Sequence, residues 1–487
     1  MSLQNIENSS LIKNASLING RWLVTDQFFD VINPTTETVI ARISEVSSLQ
    51  IEQAISSASD ALSIWQAFSD QDRRKCLLRW QELLIENLDD LAQIITLEQG
   101  KPLQEAKGEI QHAANYVKLY AELAEDLTKP CKVPSDNNQS ALVYRRPVGV
   151  VSAITPWNFP CSMVLRKAAA ALAAGCTLVL KPSEMTPLTA IAIAQLSVDA
   201  GVPSGVFNLI IGSDSQMIGE ILTGHPKIAK LSFTGSTNVG KKLLQQCAAG
   251  VKRTSMELGG NAPFIVFEDA DIELAVAGAM ASKFRNAGQT CVSANRFLIQ
   301  ETVAEKFKLK LLQQISKLKS GCGFDSTVQM GPVISPIAIN KMKKLITDAQ
   351  SEGAELLVGG KQIDGKGYFF EPTILDKVTS SMDLFYQEIF GPIVSIIQFK
   401  TEDQAIELAN KTQLGLAGYL FTKDPTRIER FSRQIQLGML GINEARLSNH
   451  HAPFGGVKQS GMGREGGRYG IEEYLDYQYI CQTKTPA

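Results

Sequence analysis

The chain has 487 residues, 44% of them hydrophobic, enough for two or three domains with proper cores in a large soluble α/β protein. With 48 Lys and Arg against 50 Asp and Glu, the formal charge of -2 supplies no global field for nucleic acid or an anionic membrane, so an anionic ligand must be held by local cations. The cysteines, Cys76, Cys131, Cys161, Cys176, Cys247, Cys291, Cys322 and Cys481, lie far apart with no C-x-x-C pair, and His112, His225, His450 and His451 show no zinc spacing; this predicts reduced thiols, no disulfide framework and no metal site.

Met1 to Ser16 is polar, with neither the apolar run of a signal peptide nor an Arg-rich transit pattern, and predicts a cytoplasmic start. From Ile51 to Glu125 apolar residues recur at helical spacing, as in Leu77, Leu78, Trp80, Leu83 and Leu84, and predict an α-rich opening. Pro130 to Asn138 is a polar break; the alternating Ala141-Leu142-Val143-Tyr144 that follows predicts a strand outside the main sheet, able to reach another subunit.

Between Val148 and Phe267, strand-like runs (Val148 to Ile154, Thr177 to Leu180, Phe207 to Ile211, Lys230 to Phe233) alternate with helical ones (Met163 to Ala174, Thr189 to Ala200, Gln216 to Leu222). That alternation predicts βαβ units and a parallel sheet. The longest apolar stretch, Ala168 to Ala174, stops at Gly175, well short of the ~20 residues that span a bilayer. A second α/β set begins near Pro263, with strands at Phe264 to Val266, Glu355 to Val358 and Ile393 to Phe399 and helices at Leu274 to Phe284 and Val303 to Leu318. Tyr474 to Cys481 alternates like a strand that could pair with the earlier hairpin, and Pro130 to Tyr144 and Tyr474 to Cys481 are expected to pair across subunits.

Five short stretches carry chemistry. Cys291 ends Phe284-Arg-Asn-Ala-Gly-Gln-Thr-Cys, a polar loop before the strand-like Arg296 to Ile299; read alone it is either an accessible thiol or a buried structural cysteine. Glu257 precedes Gly259-Gly260, where backbone can approach closely; it is either a general base or a solvated carboxylate. Thr155-Pro-Trp-Asn-Phe-Pro follows a strand, where ligands sit in open α/β sheets, and Asn158 between two prolines and two aromatics is either a rigid oxyanion donor or part of a structural turn. Lys181 and Glu184 follow another strand, and Phe233-Thr-Gly-Ser joins a strand to a helix at a ready phosphate site.

Two motif matches are decoys. Gly235 to Lys241 fits G-x-x-x-x-G-K, but Lys242 replaces the Mg-binding hydroxyl, which argues against a kinase or ATPase. Gly461-Met-Gly-Arg-Glu-Gly fits a dinucleotide fingerprint but follows turn-rich sequence rather than a strand.

Taken together, Pro156-Trp-Asn-Phe-Pro, Lys181-Pro-Ser-Glu, Phe233-Thr-Gly-Ser, Glu257-Leu-Gly-Gly, Gly288-Gln-Thr-Cys, Gln387-Glu-Ile-Phe-Gly-Pro and Pro453-Phe-Gly-Gly-Val-Lys-Gln-Ser-Gly resemble the aldehyde dehydrogenase superfamily, from about Gly20 to Tyr479. The resemblance implies an α/β fold with a Rossmann-type cofactor-binding domain (1–124 and 148–259), a second α/β catalytic domain (260–469) and a small β oligomerisation arm (125–147 and 470–487) in a homodimer or homotetramer. It makes Cys291 the nucleophile, Glu257 the general base, and Asn158 with the Cys291 N–H the oxyanion hole. Lys181 and Glu184 are implied at the adenosine ribose, Ser236 at the pyrophosphate, Glu388 and Phe390 at the nicotinamide ribose and ring, with Thr155, Trp157, Ser183 and Gly235 also binding the cofactor. Glu184 would repel a 2'-phosphate, so NAD is favoured over NADP.

Within the superfamily the chain looks most like succinate-semialdehyde dehydrogenases, which implies a small aldehyde with a distal carboxylate held by Arg166, Arg285 and Ser448. Two positions depart. Arg446 stands where a small or aliphatic residue is usual, and Ser293 where some relatives carry a second cysteine, so no local disulfide switch is expected. The competing expectations are a glutarate-semialdehyde or broader aldehyde dehydrogenase and a non-catalytic binding protein on the same fold; the latter would have lost Cys291 or Glu257.

Overall fold

A computed structural model describes residues 2–125, 127, 129–136 and 139–483. Met1 and positions 126, 128, 137, 138 and 484–487, on which parts of the expected polar start, break and arm fall, lie outside the described residues.

The expected α-rich opening forms Ser48–Ala67, Asp70–Glu86, Leu88–Gln99 and Leu103–Leu123. Side chains of Ser47 and Ser69 cap the first two by accepting the Gln50 and Asp72 N–H groups. Trp65 and Trp80, both fully buried, donate their indole N–H to the Leu172 and Ile193 carbonyls at 2.9 and 3.1 Å, fastening these helices to the α/β layer.

That layer is an eight-stranded sheet. Its five central strands, Val150–Ile154, Thr177–Lys181, Phe207–Leu209, Ile228–Thr234 and Arg253–Glu257, are mutually parallel. The first and fourth of these lie side by side at the middle, so successive crossovers run outward in opposite directions from between them. This is the topological switch point at which open α/β sheets bind ligands beyond their strand carboxyl ends. Helix Ser162–Ala173, which carries most of the long apolar run, is buried on every side; Gly175, at φ +87°, supplies the left-handed residue that ends it.

A second sheet has seven strands, of which Ala262–Val266, Ala294–Gln300, Thr373–Asp376, Ile393–Phe399, Ala417–Phe421 and Met439–Ile442 are parallel, with Glu355–Val358 antiparallel at one edge. Each sheet has its own apolar core. One gathers Trp65, Tyr116, Leu165 and Leu178, the other Phe264, Phe297, Phe385 and Tyr419. The chain then returns to the first: Gly461–Met462 pairs antiparallel with Arg253–Glu257, and Ile471, Tyr474 and Leu475 are buried in the first core.

The terminal strand Leu475–Thr483 pairs antiparallel with Gln139–Pro147 of the same chain, Tyr477 opposite Arg145 and Tyr479 opposite Val143. The expectation that these segments pair with each other across subunits is therefore corrected. Tyr474 accepts the Val148 N–H at 3.0 Å and anchors one strand at the foot of the other, so the nearest partner is intramolecular. Among the described residues no helix is long and apolar enough to cross a membrane, and no group of three or more His, Cys, Asp or Glu could hold a metal ion.

Candidate active site

The loop bearing Cys291 leaves helix Ile272–Lys283 through a tight turn in which Asn286 and Ala287 both adopt left-handed backbone, at φ 52° and 53°. Asn tolerates that region and Ala does not, so surrounding bonds must hold the turn. The Asn286 N–H donates to Glu105 at 2.9 Å, Gln99 Nε2 donates to Asn286 Oδ1 at 2.8 Å, and Asn286 Nδ2 donates to the Asn158 carbonyl at 2.9 Å. Gln289, fully buried, receives the Ile334 N–H at 2.8 Å, and Tyr419 donates its hydroxyl to the Val292 carbonyl at 2.6 Å. Strain in the turn and bonds on both flanks fix where the thiol stands. Cys291 itself is partly buried.

Asn158 follows the strand Val150–Ile154 and is 4% exposed. Its Nδ2 donates to the Gln289 carbonyl at 3.0 Å, leaving the second N–H of that amide free. A buried pair missed by sequence reasoning holds its backbone: Lys101 Nζ donates to Glu109 at 2.6 Å and to the Asn158 carbonyl at 2.8 Å. The other Glu109 oxygen caps helix Ser162–Ala173 by accepting the Cys161 and Ser162 N–H groups.

Glu257 is the last residue of strand Arg253–Glu257 and 3% exposed, and neither carboxyl oxygen has a hydrogen-bond partner. The two glycines after it have contact-based reasons. A Cβ on Gly260 would collide with the Cys291 carbonyl oxygen, and one on Gly259 would sit 2.8 Å from Glu388 Oε2. Burial, with Glu465 adding repulsion, holds the Glu257 carboxyl well above the usual carboxylate range. Burial, with Glu388 and then Glu257 opposing a second negative charge, pushes the Cys291 thiol up to about 12, against a smaller pull from Arg166.

Glu465 is the second missed group. It lies in the discounted Gly461-Met-Gly-Arg-Glu-Gly stretch, is 4% exposed, receives a close contact from Lys167 Nζ and pairs with Arg166 Nη1 at 3.4 Å. Arg166 is further clasped between the rings of Tyr116, at 4.9 Å, and Phe454, at 4.4 Å. A signal was present: two adjacent cations inside an otherwise apolar helix require a buried carboxylate, although nothing local says which.

The expected cofactor residues lie at the switch-point end of the first sheet. The Thr155 N–H donates to the Lys181 carbonyl at 3.0 Å, and Lys181 Nζ contacts Glu184 at 3.1 Å. Ser183 Oγ accepts the Met185 N–H at 3.3 Å. Gly235 leads into Ser236, which caps helix Thr237–Ala248. From the segment before strand Ile393–Phe399, Glu388 accepts the Gly260 N–H at 2.8 Å, and Phe390 meets Trp157 edge-on at 5.5 Å between centroids. A separate cavity of 1120 Å³ opens onto Cys291 and is lined by Arg166, Arg285, Ser448 and Arg446 among others. Arg285 stands over Phe159 at 5.4 Å, half-buried, while Arg446 and Ser448 are exposed.

A dinucleotide-type sheet stands beside a second α/β unit, with a loop thiol, an orphan buried carboxyl and a rigid amide near one another, groups of the kind that carbonyl chemistry uses. The chain belongs to the aldehyde dehydrogenase family, whose model matches residues 22–480, and it is accordingly an oxidoreductase acting on aldehydes with NAD(P). It is 47% identical to a 3-sulfolactaldehyde dehydrogenase of Pseudomonas putida, over 98% of both chains. It is 46% identical to an NADP(+)-type succinate-semialdehyde dehydrogenase of Escherichia coli, over 98% of this chain and 99% of the other. The crystal structure of a succinate-semialdehyde dehydrogenase from Burkholderia pseudomallei superposes with a TM-score of 0.97 at 45% identity, covering 98% of this chain and all of that one.

Proposed function

We propose that the chain oxidises succinate semialdehyde to succinate through a thioester on Cys291. The observation that carries this reading is Arg285, in the cavity that opens onto Cys291 and with no ion-pair partner within 4.0 Å among the described residues. A guanidinium left unpaired beside a nucleophile binds the far carboxylate of a short substrate by charge-assisted bonds and sets the aldehyde at the sulfur. Ser448 adds a hydroxyl. Arg166 is already committed to Glu465, so its charge tunes Cys291 and Glu257 more than it captures substrate.

Glu257 as carboxylate takes the Cys291 proton and releases it to solvent, and the freed sulfur attacks the aldehyde carbon; a C–S bond forms and the carbonyl π pair moves to oxygen. The free Asn158 N–H and the Cys291 backbone N–H stabilise that oxyanion. The nicotinamide, when bound, supplies the acceptor for the hydride that leaves this carbon. Glu257 then takes a proton from water as its oxygen bonds the thioester carbon, the C–S bond breaks, and the sulfur leaves with the electron pair.

The residues fit an NAD(P) cofactor. The N-terminus of helix Thr237–Ala248 offers N–H groups to a pyrophosphate, Gly259 leaves room beside Glu388 that a Cβ would fill, and Lys181 with Glu184 offers a donor and an acceptor to ribose hydroxyls. Glu184 favours NAD over NADP. The parts 1–124 and 148–259 would hold the cofactor and 260–469 the thiol, and the exposed Tyr477 and Tyr479 of the arm would meet a second copy.

A turnover panel with both cofactors tests the reading. Succinate semialdehyde should exceed butanal by roughly tenfold or more in kcat/KM, with NAD preferred; equal kcat/KM for the two aldehydes would overturn it. Arg446 on the same cavity favours glutarate semialdehyde as the second reading, which a higher kcat/KM for the longer chain would establish.

A further inference from the structure

The stretches that carry Glu257, Cys291 and Glu388 meet in one buried polar cluster that the chemistry above does not use. Asn261 stands four residues after Glu257, Asn295 and Arg296 four and five after Cys291, and Glu388 lies between Gln387 and Ile389. Asn261, Asn295 and Arg296 are each 3% exposed or less. Asn261 Nδ2 donates to the Phe385 and Tyr386 carbonyls at 3.0 and 2.9 Å. Asn295 brackets Glu388 itself: its Oδ1 accepts the Ile389 N–H at 3.0 Å, and its Nδ2 donates to the Gln387 carbonyl at 2.9 Å. The same Nδ2 donates to Asn261 Oδ1 at 2.9 Å, which joins the two amides.

Arg296 locks that junction. Its Nε donates to Asn261 Oδ1 at 3.0 Å, Nη2 to the Asn261 and Ala409 carbonyls at 3.0 Å each, and Nη1 to the Leu408 carbonyl, while the guanidinium lies over the Phe385 ring at 5.0 Å. All of these partners are neutral, and no carboxylate stands within ion-pair distance among the described residues. Burial pulls the guanidinium down to about 9, so at neutral pH it stays a cation held by amide and carbonyl dipoles. A buried ion of this kind costs stability, and packing alone does not require it. The segment it clamps is itself strained. Phe390 adopts left-handed backbone, at φ 56°, which a bulky aromatic residue holds only under outside restraint. Lys341 Nζ adds a bond to the Glu388 carbonyl at 2.6 Å.

Resting on the reading that Glu388 and Phe390 meet the nicotinamide ribose and ring, we propose that Asn261, Asn295 and Arg296 are positioning residues for hydride transfer. The cluster fixes segment 385–390 against the two segments that carry the base and the thiol, so one shared frame sets the hydride acceptor against the carbon bound to sulfur. It acts through Glu388 rather than on the reacting atoms. A misplacement of ~1 Å there lowers a rate by up to ~100-fold, which is the loss the frame prevents.

Two variants open the frame while leaving Glu388 in place. Asn261→Asp keeps the oxygen that accepts from Arg296 and Asn295 and gives the guanidinium a counter-ion, but it turns a repelling oxygen on the Phe385 and Tyr386 carbonyls. Asn295→Ser removes both bonds that bracket Glu388. Tm should stay within about 5 °C of wild type in each. In the cofactor-free enzyme, amide hydrogen exchange of segment 385–390, followed by mass spectrometry, should run at least about tenfold faster while strand Ile393–Phe399 keeps its protection. In rapid mixing at saturating NAD, the rate of the first burst of reduced cofactor should fall about tenfold with its amplitude retained, and KM for NAD should rise at least about fivefold. A loss of Tm and burst amplitude with exchange of 385–390, burst rate and KM for NAD all at wild-type values would make the cluster structural support only and overturn the proposal, as would folded variants in which nothing changes. Glu388→Gln separates the two levels. If that variant keeps the wild-type KM for NAD and burst rate, the reading of Glu388 fails and the proposal with it; if it changes both and neither asparagine variant does, the proposal alone fails.

Discussion

The buried charge cluster behind the Cys291 cavity and the outer wall of that cavity handle charge in opposite ways. Inside, Arg166, Lys167, Glu465 and Glu257 are all 5% exposed or less, and the first three compensate one another. Outside, Arg285 and Arg446 are half-buried and exposed and have no acidic partner among the described residues. Buried ions without partners are too costly to keep, so the inner cluster is closed by the protein, whereas water can solvate the outer cations until a ligand replaces it. On the proposed reading the inner charges govern stability and the protonation of Cys291 and Glu257, and the outer ones govern which aldehyde is chosen.

The largest effect should come from the sulfur itself. Cys291→Ala should reduce turnover to below a few per cent of wild type while cofactor binding, followed by quenching of tryptophan fluorescence, stays close to native; substantial residual turnover would break the thioester scheme. Next in size is the inner cluster. Glu465→Gln leaves Lys167 and Arg166 buried without their carboxylate and should cost ~3–5 kcal/mol in denaturant unfolding, whereas Arg446→Met should stay within about 0.5 kcal/mol. Equal losses for the two would erase the contrast between the two parts. Glu257→Gln should slow hydrolysis of the thioester more than its formation, so a burst of reduced cofactor should survive in rapid mixing while steady turnover falls; a burst lost in step with turnover would reassign Glu257.

A smaller effect follows from pH. Burial pushes the Cys291 thiol up to about 12 and raises the Glu257 carboxyl well above the usual carboxylate range, and in the proposed mechanism the reactive forms are the thiolate and the carboxylate. Loss of either proton is favoured as pH rises, so kcat/KM should climb from pH ~7 to ~9 by up to about tenfold per unit. A profile that falls over this window would contradict the assigned protonation states.

The alternation of strand and helix runs was legible, and with it both sheets, because period and turn residues are local signals. The glycines after Glu257 were legible as close-approach positions, although the object approached, the Cys291 carbonyl, belongs to a loop some thirty residues on. The Glu465 partnership was hidden because Arg166 and its carboxylate are separated by 299 positions, and adjacent cations in an apolar run announce a need without naming what meets it. Lys101 and Glu109 were hidden for the same reason, being two ordinary charges on a helical stretch until the fold closes over them. The arm's pairing failed at the level of topology: alternation marks a strand, but only Tyr474 seated in the first core determines which copy of the hairpin it meets.

Charge selectivity in the two arginine variants tests the division between inner and outer charges most directly. The quantity is the ratio of kcat/KM for succinate semialdehyde to that for butanal, measured in wild type, Arg285→Ala and Arg166→Ala. The ratio should fall roughly ten- to a hundredfold in Arg285→Ala, because only the charged substrate loses a contact worth ~1.5–3 kcal/mol. In Arg166→Ala both aldehydes should slow together and the ratio should change less than about threefold, because the group lost acts on Cys291 and Glu257. A ratio that collapses in Arg166→Ala and holds in Arg285→Ala would contradict the account.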